Sequence, residues 1–281
     1  MLPSGILFII LFAIPTIIAL FFSLTRWDLQ TWKFIGLENF QTWFSNPNLT
    51  IGFRNTIIYG VATSALKVVL GLYLANFLTS RIRTKGFLRA VIFFPTLISS
   101  VGIGILFKVL LNPFGGPFDA TISHFLLHFG IHTRGPGWLS DPNLLPLISI
   151  ALVDVWKGVG FATIIYIAGI VSIPGEFYEA AALDGASGRK VFRKITVPLL
   201  KPAMGAVIIL SFIAGLRSFD LIWAMTGGGP GFASDVLASI NYKQYAAGFY
   251  GISTAGNIIL LVVVTGLVYP LSRYLNRSEE N

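Results

Sequence analysis

Six apolar runs, each long enough to cross a hydrocarbon layer, alternate along this chain with shorter polar stretches. They fall near 4–24, 51–78, 87–111, 144–171, 199–223 and 252–275. A membrane-spanning helix needs about 20 predominantly apolar residues. The pattern therefore predicts an all-α, polytopic membrane protein: one transmembrane domain over 1–281, with about six transmembrane helices. The first run, 4–24, carries no charge. A secretory signal would need a basic start and a small-residue cleavage site. No Lys or Arg precedes Arg26, and bulky residues lead up to it, so the run reads as an uncleaved span.

The polar stretches differ in character. Residues 27–48 carry Trp27, Trp32 and Trp43, which read as an interfacial aromatic belt. The longest polar stretch, 112–143, predicts an amphipathic helix on the membrane surface. Asp119 would cap it, Gly130 would end it, and Ile122, Phe125, Leu126 and Phe129 share one face. His124, His128 and His132 are four apart, which invites a metal reading. Gly130 would end the helix before His132, and two histidines alone make a weak site. The histidines are read as a polar face, and no metal is assigned.

Composition sharpens the class. The chain is 54% hydrophobic and 11% charged, against about 25% charged in soluble domains. A net charge of +8 suggests nucleic acid only until the basic residues are placed. Eleven Lys and Arg fall on one side, in 81–89, 189–201 and 273–277, and five fall on the other. Basic residues concentrate on the cytoplasmic side, so both ends and the loop 172–202 are expected inside. The absence of cysteine excludes disulfides, thiolate metal sites and cysteine nucleophiles.

The loop 172–202, between the fourth and fifth spans, reads as two short helices around a glycine. Pro174 suits a first turn, and the alanine-rich stretch up to Leu183 favours helix. Gly185 permits a backbone angle that a side chain resists. Asp184 or Ser187 can cap the second helix, which carries Arg189, Lys190, Arg193 and Lys194 and leads to Pro198 and Pro202. The spelling Glu179-Ala180-Ala181, then Asp184-Gly185-Ala186, then Ile195 and Pro198 resembles the cytoplasmic signature loop of ABC importer permeases. More narrowly, it is similar to the maltose and glycerol-phosphate branch, which imports sugars through a soluble binding protein. Val197 stands where that family usually has leucine.

The resemblance implies a permease subunit forming half of a carbohydrate pathway in a bacterial or archaeal inner membrane. It implies a second homologous permease subunit, two ATPase subunits, a solute-binding protein outside, and surrounding membrane lipid. It also implies a coupling helix at 172–202, with Glu179, Ala180, Ala181, Asp184, Gly185, Ala186, Ile195 and Pro198 contacting the ATPase or transmitting its closure. Thr226 to Pro230 resembles the family's outer turn motif. Against that family the chain's start before the first span is short, so a cytoplasmic leader is either dispensable or missing from this sequence.

No G-x-x-x-x-G-K-[ST] phosphate loop is present; residues 185–190 read GASGRK, with the wrong spacing. ATP and Mg therefore belong to partner ATPase subunits, and the chain is expected to hold no cofactor and no enzyme site. Two rivals stand beside this reading. One is an ion-driven secondary transporter, for which matching inverted halves are missing. The other is a membrane enzyme on lipid-linked sugar, for which no interfacial cluster is evident. Charges within spans usually face protein or water. Asp154 and Lys157, three apart, are expected to neutralise each other, as are Arg217 and Asp220. Asp154, Lys157 and Asp220 are assigned to the substrate path, with Trp156 and Trp223 as stacking surfaces. Lys67 is read as single, and Lys108 as reaching to the interface.

Overall fold

The computed structural model describes residues 2–80, 82–112, 115–128 and 137–277. It opens on an apolar helix, α1, built from Leu2–Phe8, a π-helical turn Ile9–Ala13, and Ile14–Ser23. No residue of its most apolar window is buried within the chain, as suits a helix facing lipid or another subunit. A short antiparallel hairpin follows, β1 (Thr25–Trp27) with β2 (Trp32–Phe34), in the register Thr25↔Phe34. At its turn the Asp28 carboxylate accepts from the Thr31 and Gln30 amides, which holds its pKa below the usual carboxylate value.

Next come α2 (Glu38–Ser45), α3 (Pro47–Thr79), α4 (Lys85–Leu97), α5 (Ser100–Leu110), α6 (Pro117–His128) and α7 (Leu145–Val171). The loop after α7 holds α8 (Gly175–Leu183) and α9 (Gly188–Leu199, with a π-helical turn at Phe192–Thr196). The chain closes with α10 (Lys201–Leu216), α11 (Asp220–Thr226), α12 (Leu237–Ala246) and α13 (Tyr250–Arg277).

Among the described residues four helices are long and apolar enough to cross a membrane, and two bent pairs, α4 with α5 and α9 with α10, bring the number to six if each pair counts as one span. The run at 87–111 is not one helix. It breaks at Ile98 and Ser99, which take extended backbone, and α4 and α5 meet at 94°. Pro95, lacking an N–H and sitting one turn before the break, weakens the helix there. The run at 199–223 also divides. Its helix α10 stops at Leu216, and α11 starts only at Asp220.

Helix α3 is the central post, packing on α7, α10 and α12. Lipid offers no hydrophobic drive between helices, so close approach through small residues supplies the attraction. Gly71 lies against Ala162 of α7, and Gly215 of α10 lies so close that a Cβ there would stand 2.8 Å from the Gly60 Cα.

The aromatic belt is corrected at one position. Trp43 is fully enclosed, packed with Leu49, Leu237, Ile240 and Ile259. The stretch from Thr226 to Pro230 forms a turn as expected, with Gly227 (φ 60°) ending α11. Gly228 leaves room for the Asp235 carboxylate, which a side chain there would strike. Of the surface-helix residues, Phe129, Gly130, His132 and Arg134 lie outside the described residues; the helix itself starts at Pro117.

Candidate functional site

Two features stand out, a groove on the loop between α7 and α10 and a polar cavity within the helix bundle. The groove begins with the way α8 ends. The Gly185 amide donates to Ala182 O (3.1 Å) and the Ala186 amide to Ala181 O (2.9 Å). Gly185 sits at φ +64°. This pattern closes a helix with a left-handed residue, and glycine pays no Cβ penalty there. Asp184 is the C-cap of α8 and does not cap α9; Ser187 takes that place without a side-chain bond.

The chain then doubles back through α9, leaving a groove of ≈ 490 Å³. Glu176, Phe177, Ala180, Ala181, Asp184 and Ala186 line one side, and Lys190, Val191, Lys194 and Ile195 the other. Of the residues assigned to coupling, Ala180, Ala181, Asp184, Ala186 and Ile195 line it, and Gly185 makes its turn. Glu179 and Pro198 are exposed beside it. At the tip of α8, Leu183 is 91% exposed.

The cavity, ≈ 340 Å³, lies where α3, α4, α7 and the α10–α11 break converge. Lys67, Thr96, Asp154, Lys157, Arg217 and Asp220 all line it, with Ser211 and Ser218. The expected Asp154–Lys157 pair does not form. Asp154 instead accepts from Lys67 Nζ at 2.8 Å, with side chains 19% and 7% exposed. Gly158 explains the choice: a Cβ there would stand 2.7 Å from Lys67 Cε, so its absence opens the route for the lysine. Lys67 is thus paired, not single. The Tyr59 hydroxyl, fully enclosed, faces Asp154 and Ser218.

Lys157 contributes its main-chain carbonyl to Thr96 Oγ1 at 2.8 Å, while its ammonium makes no ion pair with a described residue. Arg217 and Asp220 are not paired either, because the break between α10 and α11 removes the helical spacing that would join them. Neither tryptophan lines the cavity. Trp156 packs on Phe107 (5.5 Å) and Trp223 on Phe219 (5.7 Å) and Tyr242 (4.7 Å). Lys108 is exposed in the last turn of α5.

Sequence reasoning missed a second buried network. Asp235 is fully enclosed, accepting from Lys243 and Ser239. Burial pushes its pKa above the usual value, with the Lys243 and Ser239 bonds opposing. Asn55 donates to the carbonyls of Phe232, Ala233 and Asp235, and Thr56 Oγ1 accepts from the Leu237 amide. These bonds tie the loop between α11 and α12 to α3. The spacing of some 180 residues leaves no local signal; only the small residues around Asp235 hint at enclosure.

Residues 67–279 match the family model described as "Binding-protein-dependent transport system inner membrane component". The chain is 31% identical over 278 residues to a multiple sugar-binding transport system permease protein of Streptococcus mutans, covering 98% of this chain and 93% of the relative. It is 33% identical over 231 residues to a trehalose/maltose transport system permease protein of Thermococcus litoralis, covering 82% and 76%. Its fold is similar to a chain in the crystal structure of a bacterial ABC transporter involved in import of the acidic polysaccharide alginate. That match has a TM-score of 0.80 at 22% identity, covering 98% of this chain and 93% of the other.

Proposed function

Because the chain belongs to the family of inner membrane components of binding-protein-dependent transport systems, we propose that it forms half of a carbohydrate pathway driven by separate ATPase subunits. The observation that carries this reading is α8. It is a short helix, exposed at Leu183, closed by the Gly185 turn and joined directly to α7 and, through α9, to α10. A partner that grips α8 can move two spans at once. The Glu179 and Asp184 side chains, both exposed, offer that partner carboxylates. Coupling of this kind requires an element whose position both sites bias.

The carbohydrate assignment is supported by the sugar permeases to which the chain is similar. It also fits the cavity, where Asp154, Lys157 and Asp220 present donors and acceptors suited to hydroxyl groups. With Lys67 satisfying Asp154, Lys157, Arg217 and Asp220 are the charged lining groups left to meet a substrate. A second homologous permease would complete the pathway, and a solute-binding protein would deliver the sugar. The eleven-to-five charge distribution supports cytoplasmic termini.

The test is uptake into vesicles holding the chain with its co-purifying subunits, using the carbohydrate retained by the co-purifying binding protein. Uptake should require both ATP and the binding protein. Uptake that survives ATP depletion and follows an ion gradient would favour a secondary transporter instead.

A further inference from the structure

Beside the coupling groove lies a second hollow, ≈ 480 Å³, whose lining is almost wholly cationic: Arg189, Lys190, Arg193 and Lys194, with Ser187. It contains no carboxylate. None of the four cations makes an ion pair with a described residue. Lys190 and Lys194 also face the coupling groove, but Glu176 and Asp184 there stay beyond ion-pair distance.

Local helix energetics do not account for this arrangement. Arg189 and Lys190 sit in the first turn of α9, where the partial positive charge of a helix start disfavours cations. Position offers an account. Helix α9 meets α10 at 69°, so if α10 crosses the bilayer, α9 runs nearer the membrane plane than its normal. Val191, Phe192 and Ile195 are half-buried against the chain itself while the four cations are exposed, so α9 turns its charged face outward. Leu200, the residue joining α9 to α10, is buried in the helix core, and Lys194, the nearest of the cations, stands about 9 Å of helix before it.

We propose that this basic hollow binds the phosphate of an anionic phospholipid headgroup in the leaflet facing the coupling loop. Arg189 and Arg193 would grip phosphate oxygens in paired fashion, and Lys190 and Lys194 would add charge. A lipid held there would fix the arm that carries α8 to α10. The inference rests on reading α10 as a span and is independent of the substrate.

The test uses the permease purified with its accompanying subunits and placed in nanodiscs of phosphatidylcholine with phosphatidylglycerol. Phosphatidylglycerol bound per chain is counted by native mass spectrometry. Wild type should enrich it, and Arg189→Gln with Arg193→Gln should lower the enrichment about fivefold for each cation removed. The charge-preserving pair Arg189→Lys and Arg193→Lys should retain most of it, which separates loss of charge from misfolding. Neutralising Arg83 and Lys85, at the start of α4, should leave it unchanged. The proposal is overturned if the glutamine variant retains the lipid, or if the Arg83 and Lys85 control loses it equally. Displacement of the lipid by inorganic phosphate alone would assign the hollow to a soluble anion. Loss of an ATPase subunit with the lipid retained would assign it to protein docking. Uptake is not the readout, so either failure leaves the transport reading standing.

Discussion

Lys67 on α3 reaches past Gly158 to place its ammonium 2.8 Å from the Asp154 carboxylate on α7. Removing one member of a buried pair leaves an uncompensated charge and costs about 3–5 kcal/mol. Asp154 keeps some exposure, so Asp154→Asn should cost about 3 kcal/mol. Replacing Lys67 by Met and Asp154 by Leu together should recover most of it. Thermal unfolding of the detergent-purified complex measures both. A wild-type melting point for the single variant would show that the pair carries no load.

The contact between α3 and α10 depends on two glycines. A side chain at Gly215 would stand 2.8 Å from both Gly60 Cα and Thr63 Oγ1. Gly215→Val should therefore destabilise by at least about 1–3 kcal/mol and reduce the amount of assembled protein in the membrane. Gly266, with nothing within 4 Å of a built Cβ, is the control: Gly266→Ala should be neutral or slightly stabilising.

Gly185 tests the coupling turn. At φ +64°, a β-branched residue meets a penalty of about 1–2 kcal/mol. Because α8 makes little contact with the rest of the chain, the damage should appear in function. Gly185→Val should leave the chain in the membrane while uncoupling ATP hydrolysis from uptake, and Gly185→Asn should be milder because asparagine tolerates this region. Equal uptake by all three proteins would remove Gly185 from the coupling path.

Asp235 gives the loop between α11 and α12 a pH dependence. Its folded pKa is raised by burial, so the folded chain holds the proton more tightly than the unfolded one. The resulting stabilisation is full below the unfolded value, about 3.9, and is lost as pH rises through the folded value. Asp235→Asn does not titrate. As pH rises above about 4, wild type should lose melting temperature relative to this variant. A wild type that gains on the variant as pH rises would contradict the assignment.

The helical spans and the Gly185 turn were legible because each rests on local signals: an apolar run of bilayer length, or a glycine after an alanine-rich helix. The bend between α4 and α5 was not, since Pro95 alone does not fix where or how sharply a membrane helix breaks. Of the residues assigned to the path, Asp154, Lys157 and Asp220 line the cavity, Trp156 and Trp223 do not, and the expected pairings do not form. Helical spacing paired Asp154 with Lys157, whereas Gly158 gave Lys67 a path from a neighbouring helix. The network of Asn55 and Asp235 joins residues far apart in the chain, so no periodicity could announce it.

The central claim is that α8 is where an ATPase subunit grips this chain, and Leu183 allows the most direct measurement. The chain has no cysteine, and Leu183 is 91% exposed at the tip of α8. A single cysteine there should cross-link to a co-purifying subunit that carries a phosphate-binding loop, and the yield should change between ATP-bound and nucleotide-free complex. A Leu183→Cys chain that labels from outside intact cells, or that never cross-links to a nucleotide-binding subunit in either state, would contradict the account.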